Sequence, residues 1–453
     1  MSNFVKEEAK EIRGILGRIK RRDLKGNSGQ AIKNSSYQLA ITLVAKIGSL
    51  IFTVILARLM LPEIYGLYGL ALSTILLIGV FSDMGISAAL STFLSKTIDS
   101  FPGKAKGYFR YLTKWKIFFS VFSILLIILL SKWLAVTYYQ KPIYCALLAG
   151  VIYLPIVILQ AYLTPVFIST NNFKPLLIGE IILQISKLTL IPLSIIFILV
   201  NIKSTEIYLF GIFAAISLCY LIATIYSLLK IRKDKPFGES TAVGLSVNEQ
   251  RELKRFILPL SVTALSGVVF GYVDQIMLGH YVSSQFLGFY QASFNLVAAA
   301  SAIVAFSSIA IFPILARIKG KALEKGFRKT RNLTFLASFF TAILVYLLAP
   351  VIIFIIYGKE YVTSTIYLQL LSILIISFPM IALYTTYYTS QKRTKAISIL
   401  LISSTILNII LNYIFINIGL GFSMSHAVIG ACIATVISRV GYLGILILLR
   451  RNN

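Results

Sequence analysis

Acidic residues are scarce in this chain: 16 Asp and Glu stand against 43 Lys and Arg, and charged residues of both signs make up only 13% of the sequence. A soluble globular domain carries about twice that charged fraction, so a soluble enzyme is excluded. Cysteine is nearly absent: Cys145, Cys219 and Cys432 each lie inside an apolar run, which leaves neither a disulfide framework nor a thiolate metal site. The two histidines, His280 and His426, stand alone without any Cys or His ligand spacing, so no metal is expected. The first 35 residues hold no apolar signal core, so no cleaved signal peptide is expected and the first apolar run serves as its own insertion signal.

Long hydrophobic runs are what the chain has in abundance. It is 58% hydrophobic, with a mean hydropathy of +0.86. Apolar stretches fall at about 36–56, 65–90, 115–138, 143–168, 176–200 and 206–229, then at about 256–277, 286–316, 332–357, 365–389, 396–417 and 426–449. Each is near or above the ~20 residues that a helix needs to cross hydrocarbon, whereas strands would need about ten in strict alternation. The expected fold is therefore an all-α polytopic membrane protein with 12 transmembrane helices. The segments connecting them at one end, such as 58–64, 278–285 and 420–425, are too short for a folded catalytic domain.

The basic residues are distributed unevenly, and this gives an orientation. With the N-terminus inside, 35 of the 43 Lys and Arg fall in cytoplasmic segments and only Arg58, Lys132, Lys141, Lys203 and Lys359 on the opposite face. Positive-inside then places both termini in the cytoplasm. The net charge of +27 is thereby mostly topological and faces anionic headgroups. No basic stripe with interleaved aromatics occurs outside the apolar runs, so nucleic acid is not an expected partner. Around Ile12, Ile15, Leu16 and Ile19 the N-terminal segment reads either as a basic helix lying on the inner leaflet or as a solvated tail.

Three cations remain, and they sit near the middle of apolar runs: Lys46, Lys187 and Arg439. Each costs about 2.5–3.5 kcal/mol at the centre of a spanning helix, which points to a wet interior and an anionic passenger. Polar side chains accompany them at helical spacing. Glu180, Gln184 and Lys187 share one face, as do Gln38, Thr42, Lys46, Ser49 and Thr53; Ser404, Asn408 and Asn412 align on another helix, and Thr435 lies one turn from Arg439. Any one such hydroxyl or amide can equally be a helix-packing contact. Lys187 has two readings, an ion pair with Glu180 or a substrate contact. Arg58, at a helix end, either snorkels or binds substrate. Asp83, Glu180 and Asp274 are candidates for ion coupling, with a conformational fixture as the main reading for Asp83 beside Gly85. Pro155, Pro165, Pro192, Pro259, Pro313 and Pro379 are expected to kink their spans.

The two halves echo one another. At an offset of 222, Pro62-Glu63-Ile64-Tyr65-Gly66-Leu67-Tyr68 corresponds to Ser284-Gln285-Phe286-Leu287-Gly288-Phe289-Tyr290. A second echo, at an offset of 221, sets 170–174 against 391–395. The domains expected are a basic segment 1–35, a six-helix bundle 36–229, a cytoplasmic linker 230–255 and a second six-helix bundle 256–449. Parallel repeats of this kind place a substrate path between the halves.

The run Ala57-Arg58-Leu59-Met60-Leu61-Pro62-Glu63-Ile64-Tyr65-Gly66-Leu67-Tyr68, continued by Asp83-Met84-Gly85-Ile86, resembles the opening of polysaccharide biosynthesis membrane proteins. Val273-Asp274-Gln275-Ile276-Met277-Leu278-Gly279-His280, followed by Gly288-Phe289-Tyr290, is similar to the seventh helix of that family and its next turn. The resemblance covers essentially the whole chain. It implies the multidrug/oligosaccharidyl-lipid/polysaccharide exporter superfamily and, within it, the Wzx-like oligosaccharide-lipid flippases of MATE-like fold. The count of twelve spans departs from the fourteen of the related lipid II flippases, which lowers peptidoglycan precursor among the substrates implied.

On this reading the carrier phosphate of a polyprenyl-linked glycan engages Lys46, Lys187, Arg439 or Arg58, while Gln184, Asn408 and Asn412 serve the sugar hydroxyls. No cofactor is implied beyond coupling to H+ or Na+, and the partners are membrane lipids and other glycan-assembly membrane proteins. Other readings compete. A cation or drug exporter of the sister branch would favour an acidic and aromatic cavity, and the mid-depth cations argue against it. A membrane glycosyltransferase or polymerase would need a catalytic loop, and a symporter of another superfamily would not account for the Tyr65–Tyr68 run.

Overall fold

The apolar runs fold as helices because in hydrocarbon only a helix or a closed barrel satisfies its own backbone polar groups. The computed structural model describes residues 26–201, 204–315, 321–391 and 393–451. The segment read over 12–21 lies outside the described residues, as do Lys203, Arg317 and Lys319. The first half contains α1 (Gly26–Leu59), α2 (Pro62–Gly79), α3 (Ile86–Thr97), α4 (Pro102–Lys132), α5 (Tyr144–Ser169), α6 (Phe173–Asn201) and α7 (Thr205–Asp234). The second contains α8 (Val247–Tyr281), α9 (Ser284–Leu315), α10 (Lys321–Tyr357), α11 (Ser364–Leu371), α12 (Leu374–Ser390), α13 (Thr394–Leu420) and α14 (Met424–Arg451). Twelve spans result among the described residues, because α3 is too short to cross and α11 continues through α12 as one span.

Burial sorts the helices into inner and outer ones. α2 is apolar on every side and buries Tyr65, Leu67, Leu70 and Ile75 completely, the pattern of a helix surrounded by protein. α4 and α10 instead turn Phe118, Leu125, Leu129, Phe340, Leu347 and Phe354 outward, which in a membrane face the acyl chains. One apolar cluster, running from Phe52 and Leu56 through Tyr65 and Leu287 to Tyr361, joins the two halves. Toward the end that carries the chain termini the core divides. Phe270, Phe327 and Tyr384 centre one cluster there, and Leu90, Phe93 and Tyr108 the other.

The opposite end is stitched shut. Gly66 of α2 and Gly288 of α9 approach so closely that a Cβ on Gly66 would stand 2.0 Å from the Ser284 carbonyl oxygen, and one on Gly288 1.9 Å from that of Pro62. Tyr361 donates its hydroxyl to the carbonyls of Ala57 at 2.9 Å and Met60 at 3.2 Å. His280 Nδ1 lies 2.6 Å from the Tyr138 carbonyl oxygen, its ring stacked on that of Tyr138. Arg58 donates Nε to the Ile356 carbonyl at 2.7 Å and Nη2 to that of Ile355, the open carbonyls at the C-terminus of α10. Its substrate reading is therefore replaced, in this conformation, by a cap that ties α1 to α10.

Two boundaries differ from those expected. The apolar stretch 65–90 is broken after Ser82, where Met84 (φ 38°) and Gly85 (φ 76°) take left-handed conformations and start α3 in a new direction. A Cβ on Gly85 would meet Leu260 Cβ at 2.7 Å, and Ser261 Oγ donates to the Met84 carbonyl at 2.7 Å, so the turn docks on α8. The linker expected over 230–255 is largely helical: α7 runs to Asp234, and α8 begins at Val247 behind a capping box of Ser246 and Glu249. Between them Val243 donates its backbone N–H to the Gly103 carbonyl at 3.0 Å, and Lys106 reaches the Ser240 carbonyl at 2.9 Å, which pins the connection to α4.

At the break Asp83 is paired with Lys116 and bonded to Ser87. The Lys116 ammonium is buried, 5.8 Å from the Tyr162 ring centroid, so this carboxylate is its counter-charge and the turn is held by it. Replacing Asp83→Asn is expected to lower the melting temperature, by about 1–3 kcal/mol of stability, because a buried cation loses its partner. The double variant Asp83→Leu/Lys116→Met should recover most of that loss, as scanning calorimetry in nanodiscs would show.

Candidate functional site

A cavity of about 310 Å³ lies between the halves, just beyond the Gly66–Gly288 contact. α1 contributes Ser49 and Thr53, α2 Ser73, α6 Lys187, α8 Asp274 and Gln275, and α9 Gln291 and Asn295. Five tyrosines, Tyr68, Tyr153, Tyr220, Tyr272 and Tyr290, supply much of the rest of the wall. The lining is thus aromatic with hydroxyls and amides, plus one cation from the first half and one carboxylate from the second.

Lys187 is the cation. Its Nζ stands 4.9 Å from the Tyr220 ring centroid and 5.4 Å from that of Phe52, and 3.5 Å from the Tyr220 hydroxyl. No carboxylate of the described residues lies within salt-bridge distance of it. The ion pair with Glu180 that the i, i+7 spacing allowed is not formed: Glu180 Oε1 instead accepts from Gln184 Nε2 at 2.7 Å. Aromatic faces offset part of the cost of burying an ammonium, but a bare cation in a polar pocket remains available to an anion. Gln184 is buried against α1, where the missing side chain of Gly48 makes room for it, and does not line the cavity.

The carboxylate is Asp274. Its Oδ1 accepts from Asn412 Nδ2 at 2.6 Å and its Oδ2 from the Tyr290 hydroxyl at 3.0 Å. Asn412 also donates to the Asn408 carbonyl at 2.9 Å, and Asn408 Nδ2 to Ser438 Oγ at 3.0 Å. The side-chain oxygens of Asn408 and Asn412 are buried and have no hydrogen-bond partner among the described residues. These oxygens and the Asp274 carboxylate are donors of the type that suits a small hard cation, although the Asn412 atom facing Asp274 is its amide nitrogen.

The other residues singled out in the sequence do not meet at the cavity. Asn408 and Asn412 are wholly buried within the second half, where Asn412 donates to Asp274 and Asn408 to Ser438, and neither lines the cavity. Arg439 donates to the Phe270 carbonyl and lays its guanidinium on the Phe270 ring, Cζ 3.4 Å from the centroid. Lys46 is exposed, one turn from the cavity residue Ser49, and does not itself line the cavity. Conversely, the lining residues Gln291, Asn295, Tyr153, Tyr220 and Tyr272 were not singled out in the sequence, and Gln275, Tyr68 and Tyr290 only as members of the family-like runs, since single neutral side chains in apolar helices carry no periodic signal.

Residues 31–319 match the polysaccharide biosynthesis protein family. The chain belongs to that family. Residues 259–414 also match the MatE family. Among solved structures, lipid II flippase MurJ in an inward closed conformation aligns with 90% of this chain and 86% of its own, at 16% identity and a TM-score of 0.66. An inward-facing multidrug resistance MATE family transporter of the MOP superfamily aligns at 12% identity, 91% and 97% coverage and a TM-score of 0.64. The eukaryotic MATE transporter AtDTX14 does so at 15% identity, 92% and 95% coverage and a TM-score of 0.56. No match was found among curated protein sequences. The fold of this family member is accordingly that of the MOP superfamily, whose structures matched here are a flippase and transporters.

Asp274→Asn keeps shape but turns one acceptor into a donor facing Asn412 or Tyr290. A loss of about 1–3 kcal/mol is expected, read as a lower melting temperature in nanodiscs. Asn412→Asp, placing two carboxylates in contact, should destabilise the protein further, and more at neutral than at acidic pH.

Proposed function

We propose that this protein is a flippase that moves an oligosaccharide carried on a polyprenyl phosphate or diphosphate from the inner to the outer leaflet of the cell membrane by alternating access. The observation that carries this reading is the buried Lys187, with no carboxylate of the described residues within salt-bridge distance, in a cavity whose wall is otherwise rich in tyrosines, amides and hydroxyls, with Asp274 on the far half. An ammonium pairs with phosphate, neutral donors and acceptors match sugar hydroxyls, and tyrosine rings offer flat apolar faces to a pyranose. The cavity lies between the first and the last six spans, so a glycan held there can pass from one side to the other as the halves rock, with its polyprenyl tail remaining in lipid. No covalent bond changes. Positive-inside places both termini in the cytoplasm, and the stitched end then faces outward.

Asp274 favours a coupling role or, taken with the MatE match, a second reading as a cation exporter. Its carboxylate already accepts two hydrogen bonds inside the second half, which argues for coupling over direct contact with an organic cation. Asp274, Asn408 and Asn412 are the residues that would hold Na+, and the carboxylate alone would take H+.

The test is transfer of a polyprenyl-linked oligosaccharide in proteoliposomes that contain this chain only. Wild type should accelerate transfer over empty liposomes. Lys187→Gln should slow it by about tenfold or more, since a charge-assisted hydrogen bond contributes about 1.5–3 kcal/mol, and Lys187→Arg should keep most of it. Transfer by Lys187→Gln at the wild-type rate would refute the phosphate role. Uptake of a cationic dye without any glycolipid transfer would establish the exporter reading instead.

A further inference from the structure

Where the cavity ends at the stitched side, its wall is an amide chain crossing from one half to the other. Ser73 of α2 donates its hydroxyl to Gln275 Oε1 of α8 at 3.0 Å, and Gln275 Nε2 donates to Gln291 Oε1 of α9 at 2.8 Å. The two amides lie directly on Gly69, one turn from Gly66. A Cβ there would stand 1.5 Å from Gln291 Oε1 and 2.4 Å from Gln275 Nε2. Gln291 is nearly buried, and its own Nε2 donates to no described residue although the side chain lines the cavity.

We propose that Gln275 and Gln291 read the glycan's hydroxyls and link occupancy of the cavity to release of the outer seal. This inference rests on the flippase reading given above. Gln275 Oε1 is held by Ser73, which binds α8 to α2 beside the glycine contact. A sugar hydroxyl that enters between Ser73 and Gln275 takes the Oε1 acceptor site that Ser73 holds, and the Gln291 amide gives the same sugar a donor. Binding therefore exchanges a bond between the halves for a bond to the ligand. That is a differential interaction with the closed and open states, which any ligand-driven shift requires. Gly69 is essential to the arrangement, because only the absence of a side chain lets the amides reach across to α2.

The test is the distance between spin labels at Leu61 and Val362, which lie in loops of opposite halves at the stitched end, measured by double electron–electron resonance in nanodiscs. Ser73→Ala should raise the open population without ligand by about fivefold, the factor of one neutral hydrogen bond. Gly69→Ala, which pushes both amides off α2, should raise it at least as far. Gln291→Leu leaves the Ser73–Gln275 bond in place: its distances without ligand should match wild type, while polyprenyl-linked oligosaccharide should bind about tenfold more weakly and no longer widen the gap. Unchanged ligand-free distances in both Ser73→Ala and Gly69→Ala would overturn the seal. A Gln291→Leu protein that binds and widens like wild type would overturn the reading of hydroxyls. If wild type itself ignores the glycolipid while Ser73→Ala still opens, the substrate assignment has failed and the seal stands.

Discussion

The close approach of α2 and α9 at Gly66 and Gly288 is the constraint from which the rest of the structure follows. The atoms that a Cβ would strike there are backbone carbonyl oxygens of Ser284 and Pro62. No rotamer change can relieve such a contact, so the two helices either touch without side chains or stand apart along their whole stitched end. Because they touch, the Tyr361 hydroxyl reaches the end of α1, Arg58 reaches the end of α10, and the space between the halves begins only one turn further along α2. The contact is also reciprocal. Gly66 meets Ser284, which opens α9, and Gly288 meets Pro62, which opens α2, while Gly66 and Gly288, like Pro62 and Ser284, are each other's equivalents at the 222-residue offset of the sequence echo. Residues touch their own repeat equivalents only near the axis that relates the repeats, as at an isologous interface.

The intramembrane cations are explained by how each is compensated. Lys116 has a carboxylate, Asp83. Arg58 and Arg439 have backbone carbonyls, with an aromatic face added at Arg439, and a planar guanidinium suits both. Lys187 has rings and one tyrosine hydroxyl but no anion. Burial of the first three is offset inside the protein, wholly or in part, and Lys46 is exposed; Lys187 is the buried cation that leaves a demand for something from outside.

This sorting marks the limit of what the sequence could tell. The twelve spans were legible because hydrophobic length is a property of contiguous residues, and the Glu180–Gln184 contact because helical spacing places i and i+4 side by side. The roles of Arg58 and Arg439 were not, since their acceptors are carbonyls 297 and 169 positions away, and every residue has a carbonyl. Asn408 and Asn412 were recognised as one polar face, but the object of that face, Asp274, belongs to another helix. The break after Ser82 was legible only in part: Asp83 beside Gly85 read as a conformational fixture, but the apolar residues resume beyond it, and it is the left-handed dihedrals of Met84 and Gly85 that turn the chain there.

The cavity is asymmetric, although the halves that enclose it echo one another. The first half supplies Lys187 and the second supplies Asp274 with the amides of Gln275, Gln291 and Asn295. A ligand whose anionic group sits on Lys187 and whose hydroxyls reach the amides of Gln275, Gln291 and Asn295 touches both halves at once. Only a ligand in contact with both sides of a moving boundary can distinguish the positions of that boundary, because contacts within a single half are the same in every state. If the protein acts as the proposed flippase, division of the binding groups between the halves is what would couple the presence of its cargo to motion.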